Sequence, residues 1–516
     1  MRCPVQIRKT FCAAACAVLF AASAPSGARL QYGGVLRVEM RASSVILNPR
    51  RWKLGSGDYA TNQRLAALIF DRLIALDNYG RFQPQLATEW SHDSAAKRWQ
   101  FTLRQGVKFS DGSLLDPSDI VNALQPLLAN GLQVSATASG VVMQSASSAS
   151  DLLEVLASGP YFIYRSGEKG ELVGTGPFVL ENQTANGQTA SEKSMADGAG
   201  ISSQRLRFRF NELCWSGRPF LDAVEVTLGA PPLRALLDVQ LGKADLAELS
   251  GETARRAQQS NVKVWVSWPL TLYAVKFAAP AKSESDRTLR EALGWSLDRK
   301  AMARVLLQKQ AEAAPSFLPQ WLSGYAFLFA MESNLEQAKE LRARLPAGAV
   351  GAAQPLRLGL DANSELAKLI AERVAVNARA AALTLQITPR GTVRAASDGA
   401  AARMESEAQL IAWRYSSLSP REGLETFAAA WHLRIPQGGV PADAEARYAW
   451  EKRMMYEKDI LPLVTVPDFA ALDGRVRNWS PAPWGEWRLA DVWLDAGEAA
   501  TSEREAGMKS PAGAKP

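Results

Sequence analysis

The chain has 516 residues, 47% hydrophobic and 22% charged, with a formal net charge of +7, 2 histidines and 4 cysteines. Such a length carries enough apolar material for two or three domains. The charge is mild for the size and no dense basic run occurs, which argues against nucleic acid as a partner, and two separate histidines cannot form a preformed metal site of the usual kind.

At the start, Arg2, Arg8 and Lys9 precede an apolar run from Phe11 to Ala24 and then Ser26-Gly27-Ala28. This pattern predicts a secretory leader over residues 1–28, cleaved after Ala28 and leaving a soluble exported protein. A lipid anchor through Cys16 and an uncleaved leader are the other readings. No later run approaches the ~20 apolar residues of a membrane span. Removing the leader takes Cys3, Cys12 and Cys16 with it, so Cys214 stands alone without an intramolecular disulfide. Beside Leu213 and Trp215 it reads as a buried structural thiol.

Val35 to Met40 reads as a strand, followed by the turn-like Leu47-Asn48-Pro49, and Leu65 to Leu76 reads as one amphipathic helix. The most informative stretch runs from Leu86 to Leu124. Trp99, Phe101 and Leu103 alternate as a half-buried strand, Gln105-Gly106 permits a reversal, and Val107 and Phe109 resume the alternation before a tight turn at Asp111-Gly112. Asp116-Pro117-Ser118-Asp119 then announces a helix: Asp116 caps it, Pro117 needs no N–H, and Asp119 favours its positive end. Beyond Gly131 lies a Ser/Ala-rich stretch, then a helix over 151–157, then Gly174-Thr175-Gly176-Pro177-Phe178, a sharp turn entering a strand. Residues 181–204 are polar and patternless and read as a surface loop.

The words of these segments resemble the signature of the family 5 extracellular solute-binding proteins, the peptide, nickel and opine receptors of ABC importers. LATEW, WQFTLRQGVKFSDGSLL and DPSDIVNAL follow the family pattern closely, with Ile120 in its last place. GTGPF at 174–178, then Trp215, Gly217, Pro219, Leu221 and Asp222, then Leu241, Gly242 and Asp245 are further matches. Asp71 stands where the family usually has Glu. Arg290, Ala292, Leu293, Asp298 and Arg299 match a later motif on a helix predicted over 287–308. One departure is Phe277-Ala278-Ala279-Pro280, where the family usually places an Asn before the Pro.

Pro355 to Pro389 reads as a βαβ unit without any family knowledge. A strand, a helix capped by Asn363 with Leu366, Ile370 and Val374 on one face, and a parallel returning strand follow in order. A third strand, Gln409 to Trp413, comes next. Ligands of open α/β sheets bind at the carboxyl ends of strands, so Trp413-Arg414-Tyr415-Ser416 is the candidate ligand segment. The resemblance implies that peptide binders carry an Asp at position 416 to hold the ligand's ammonium group; this chain has Ser416 there, and Ser419 for a second acid. A hydroxyl cannot neutralise a buried cation, whereas Arg414 offers a donor fork to an anion or a neutral aromatic ligand. Ser44 and Tyr273 complete the candidate set.

The resemblance implies an α/β fold of the two-lobed, type II periplasmic-binding class with an extra small domain. The expected divisions are lobe I over 29–58, 172–270 and 468–496, the small domain over 59–171, lobe II over 271–467, and a disordered tail over 497–516. The implied function is a periplasmic receptor, monomeric and without cofactor, that captures a peptide-like or other small organic solute for an ABC permease. A receptor-shaped sensor or chaperone-like partner is the second reading. A Ser/Lys acyl-transfer enzyme built on Ser94 and Lys97 is a remote third, since those residues lie in a polar loop.

Overall fold

The computed structural model describes residues 31–128, 131–167, 171–181, 205–327, 329–330, 332–390 and 406–495. The expected leader, the 497–516 tail and nearly all of the 181–204 loop lie outside the described residues. The architecture is mixed α/β and two-lobed, organised on one 11-stranded sheet. At its centre Val35–Glu39 pairs in parallel with Ala223–Thr227 and Leu246–Leu249. Leu36 and Val38 point into a first core with Phe70, Phe178, Phe208 and Trp487. The period-two alternation of Val35–Glu39 produces this: one face is buried and the other is only half covered.

Two long strands carry the sheet from one lobe to the other. Lys263–Phe277 and Ile460–Leu472 run antiparallel, and their register slips around Pro269, which faces Pro467. Proline has no N–H, so two opposed prolines interrupt the ladder and let both strands bend where the lobes meet. Beyond the bend, Lys263–Phe277 pairs with Ala408–Arg414, which lies parallel to Leu356–Asp361, itself parallel to Leu385–Arg390. The βαβ unit is therefore present, its helix Glu365–Ala380 burying Ile370 and Val374 in a second core with Val275, Leu293 and Leu461. Its cap is Ser364, whose hydroxyl accepts from Ala367 N; the Asn363 N–H instead bonds Asp361.

A third core sits beneath the four-stranded sheet Ala87–His92, Arg98–Leu103, Gly140–Ser145 and Leu132–Thr137, and contains Trp99, Phe101, Ile120, Leu124 and Met143. Helix Pro117–Leu124 opens with the expected cap, Asp116 accepting from Ser118 N while Asp119 accepts from Asp116 N. The Ser/Ala-rich stretch forms the hairpin of this sheet.

Three local expectations change. Leu65 to Leu76 is not one helix: Tyr59–Ile69 is helical, and Ile74–Leu76 is a strand paired with Phe82–Pro84. The helix ends because Gly176 N donates to the Ile69 carbonyl, drawing the chain into extended geometry at Phe70. The 287–308 helix stops at Ser296, where Asp298 caps a separate turn by accepting from Ala301 N. Cys214 is half-buried rather than buried, with Sγ 3.2 Å from Ser216 Oγ.

Candidate functional site

The strand Ala408–Arg414 ends where the two long strands bend, and the chain leaves it through Tyr415, Ser416 and Ser417. Local backbone bonds fix this exit. Arg414 N donates to Gly55 O, Tyr415 N to Leu270 O, and Gly159 N to Ser416 O. Ser419 then caps helix Pro420–Trp431. The segment is thus tied to Gly55, Leu270, Gly159 and its own helix at once.

A small cavity lies beside it, with about 10 Å³ of space, room for roughly one water. Gln63, Ser158, Tyr415, Ser416 and Ser417 bring polar groups to its wall, and Leu270, Leu418, Trp321 and Trp484 bring apolar surface. Of the six residues singled out from the sequence, Tyr415 and Ser416 line this cavity; Trp413, Arg414, Tyr273 and Ser44 do not. Trp413 packs edge-on against Phe427 and Trp431 in a core, and a Cβ on Gly55 would fall 2.1 Å from its ring. Tyr273 belongs to the second core, where burial raises its hydroxyl and Ser364 and Arg41 lie near. Ser44 is half-buried on the loop before Leu47.

Charge at the bend is organised in closed pairs. Arg414 Nη1 lies 2.7 Å from Asp468 Oδ1, and Arg64 Nη2 lies 2.5 Å from Oδ2. Arg64 also pairs with Glu248 and donates to Gly485 O. Burial opposes the charged form of Asp468, but Arg414 and then Arg64 outweigh it and bring the carboxyl down to about 2. The guanidinium read from sequence as a fork for an anion is therefore engaged by this chain's own carboxylate. Glu486, which lines the cavity, pairs with Arg72 at 2.6 Å. Glu422 accepts from the Tyr161 hydroxyl, and burial pushes it up to about 7. Two buried polar atoms on the cavity wall have no protein partner: Tyr415 Oη and Trp484 Nε1.

A second polar centre lies away from the cavity and explains the signature words. Asp71 follows the first helix and is 6% exposed. Its Oδ1 accepts from Gln85, and its Oδ2 accepts from Thr175 and Trp215, at 2.7 to 2.8 Å. Those donors come from the residue before LATEW, from the GTGPF turn and from the Trp-Ser-Gly phrase. Gly174 and Gly176 are required by close approach: a Cβ on Gly174 would lie 2.1 Å from Ile69 O, and one on Gly176 would lie 2.6 Å from Ile69 C.

Residues 81–432 match the profile of the bacterial extracellular solute-binding proteins, family 5 middle region. The chain belongs to that family. This family 5 protein is 25% identical over 349 residues to a nickel-binding periplasmic protein of Escherichia coli, a match spanning 62% of the chain and 66% of that relative. It is 27% identical over 335 residues to protein XP55 of Streptomyces lividans, spanning 59% and 58%. The matched regions thus cover less than two thirds of each relative. Among solved structures it resembles the murein tripeptide binding protein MppA of Escherichia coli, with TM-score 0.73, 17% identity and 90% and 99% of the two chains covered. It also resembles the oligopeptide-binding protein AppA of Bacillus subtilis in complex with a nonapeptide, with TM-score 0.70, 15% identity and 90% and 100% covered. At such identities these likenesses establish the two-lobed fold alone.

The homologues are binding proteins. Ser94 and Lys97 sit in the exposed turn between Ala87–His92 and Arg98–Leu103. Among the described residues no group of three His, Cys, Asp or Glu is placed to hold a metal, and no helix is long and apolar enough to cross a membrane. Sequence reasoning missed Gln63, Ser158, Trp321 and Trp484. They come from four distant stretches, and no local pattern marks any of them.

Proposed function

We propose that this family 5 protein is the periplasmic receptor of an ABC importer. It is exported as a soluble protein, captures a small organic solute beside Ser416, and delivers it to a permease without chemistry. The moving units are the two lobes divided at the bend, residues 29–58, 172–270 and 468–496 against 271–467. Closure about the paired prolines converts binding energy into the shape a permease reads.

The ligand is uncharged where it meets Ser416. The observation that carries this is the neutral wall: Ser416 replaces the expected acid, Arg414 is engaged by Asp468, and Glu486 is engaged by Arg72. An α-ammonium buried against serines would lack the partner its desolvation requires. Capping of Arg414 N and Ser416 O by Gly55 and Gly159 likewise removes two backbone groups that an extended peptide could use.

Isothermal calorimetry on the purified protein tests this with free dipeptides and their N-acetylated amides. Free-amine peptides are expected to bind more weakly than ~100 μM, and Ser416→Asp should shift preference toward them. Micromolar binding of a free-amine peptide to the unaltered protein would overturn the neutral-site reading and point to Glu422 as the acid that holds the amine.

A further inference from the structure

We propose that the contact between residues 151–161 and residues 416–422 is a proton-held latch across the two lobes, closed while the Glu422 carboxyl is neutral and released when it ionises. This rests on the two moving units proposed above, with the small sheet domain carried by the first.

The two sides of the contact belong to different cores. Leu152, Leu156 and Tyr161 pack in the core of the small domain, together with Leu270 and Trp484 of the first lobe. Leu424 and Phe427, on helix Pro420–Trp431, pack with Trp413 and Trp450 in another core. The contacts that join them are mostly polar. Gly159 N donates to Ser416 O at 2.9 Å, and Leu418 N donates to Ser158 Oγ at 3.0 Å. The Ser419 hydroxyl donates to Asp151, and Arg421 reaches the same carboxylate with Nε at 3.0 Å and Nη2 at 2.9 Å. The Tyr161 hydroxyl donates to Glu422. Leu418 and Trp321 supply the apolar part. An interface built this way can part and re-form without opening either core.

Glu422 is where it gives. One of its oxygens accepts from Tyr161, while Oε2 is buried without a partner. Arg421 already serves two other carboxylates, Asp151 at 2.9 Å and Glu425 at 3.8 Å, and among the described residues no ion pair reaches Glu422. The titratable groups that face Glu422 are Tyr161 and Asp151 from the small domain, Tyr59 from the first helix and Arg421 from its own. Asp151 opposes its charge and Arg421 favours it, and burial outweighs them all, raising the carboxyl to about 7. With the latch open, Glu422 is hydrated and returns toward its ordinary 4.5. The closed form thus holds a proton that the open form has released between about 4.5 and about 7. Closure weakens as pH rises through that window and stays level above it.

The test is amide hydrogen exchange on the purified, ligand-free protein from about pH 5 to about pH 8, corrected for intrinsic chemical rates. Protection at Gly159 and Leu418 is expected to fall at least ~10-fold across that range. Arg414, whose amide bonds Gly55 across the same divide, should fall in step. Gly176, bonded to Ile69 within the scaffold, should not move. Glu422→Gln keeps an acceptor for Tyr161 but cannot ionise, so its latch amides should stay protected at every pH. Asp151→Asn should lower their protection at every pH. Protection that is flat with pH, or that falls equally in Glu422→Gln, overturns the inference. A parallel fall at Gly176 means global unfolding and overturns it too, as does a fall at Leu418 alone, which means fraying. If Asp151→Asn loosens Gly159, Leu418 and Arg414 together while pH does nothing, proton control falls and the moving lobes stand. The receptor reading itself is decided by the calorimetry above, in which ligands are present.

Discussion

Two polar centres of this molecule carry opposite burdens. Around Asp71 both carboxylate oxygens are occupied, and the donors that occupy them belong to the family's signature words. Around Ser416, Asp468 and Glu486 are engaged by arginines, while Tyr415 and Trp484 keep buried polar atoms without protein partners. A fully satisfied buried network specifies one arrangement of the chain. A partly satisfied one beside a cavity is stable only at a cost, and a ligand can remove that cost. The first centre builds the scaffold; the second is what the scaffold presents.

The sharpest way to break this contrast is to crowd the first centre. Gly174→Ala places a Cβ onto the Ile69 carbonyl oxygen, and chemical denaturation should show a loss above about 4 kcal/mol or no folded protein. Asp71→Ala strands three donors and is expected to cost about 3 kcal/mol by the same measurement. Ser416→Ala, at the second centre, should change stability by less than about 1 kcal/mol while altering ligand binding. Equal losses for Asp71→Ala and Ser416→Ala would erase the distinction.

The ion cluster at the bend should respond to acid. Asp468 sits at about 2 in the fold against an ordinary 3.8, because Arg414 and Arg64 outweigh burial. Its contribution is therefore complete above the ordinary value and is lost as pH falls through about 2. Asp468→Asn is expected to remove about 2 kcal/mol at neutral pH, and the difference from the unaltered protein should shrink toward pH 2. Glu422 behaves in the opposite sense, since burial raises it from 4.5 to about 7. The fold then binds a proton that the unfolded chain has released, so stability declines as pH rises from about 4.5 to about 7. Glu422→Gln should flatten part of that decline in melting curves, the smallest of these effects; an unchanged slope would place the titration elsewhere.

These centres also differ in how far they could be read from sequence. The scaffold was legible because its constraints are local and strict: Asp116 and Pro117 cap a helix, period-two alternation marks Arg98–Leu103, and the glycines of 174–178 mark a turn into a strand, though their close approach to Ile69 shows only in the fold. The βαβ unit was legible for the same reason. What failed locally failed to tertiary contacts: Leu65 to Leu76 has helical spacing, yet Gly176 takes the Ile69 carbonyl and ends the helix early. The hairpin of Leu132–Thr137 and Gly140–Ser145 hid behind small polar residues, with Val134, Val141 and Met143 too sparse to signal it. Of the candidate site, the rule that ligands gather at strand ends pointed to the exit of Ala408–Arg414, where Tyr415 and Ser416 line the cavity. Its wall was not, because Gln63, Ser158, Trp321 and Trp484 converge only through the fold. Nor could sequence show that Arg414 is held by Asp468, 54 residues away.

The most direct test of the central claim, a receptor with a neutral site at Ser416, is native mass spectrometry of the protein freshly purified from its native host. The account predicts a non-covalent adduct, released on activation, whose mass and fragments are those of an uncharged organic solute without a free amine. A stoichiometric adduct that is a free-amine peptide, or a metal ion ligated directly by the chain, would contradict it.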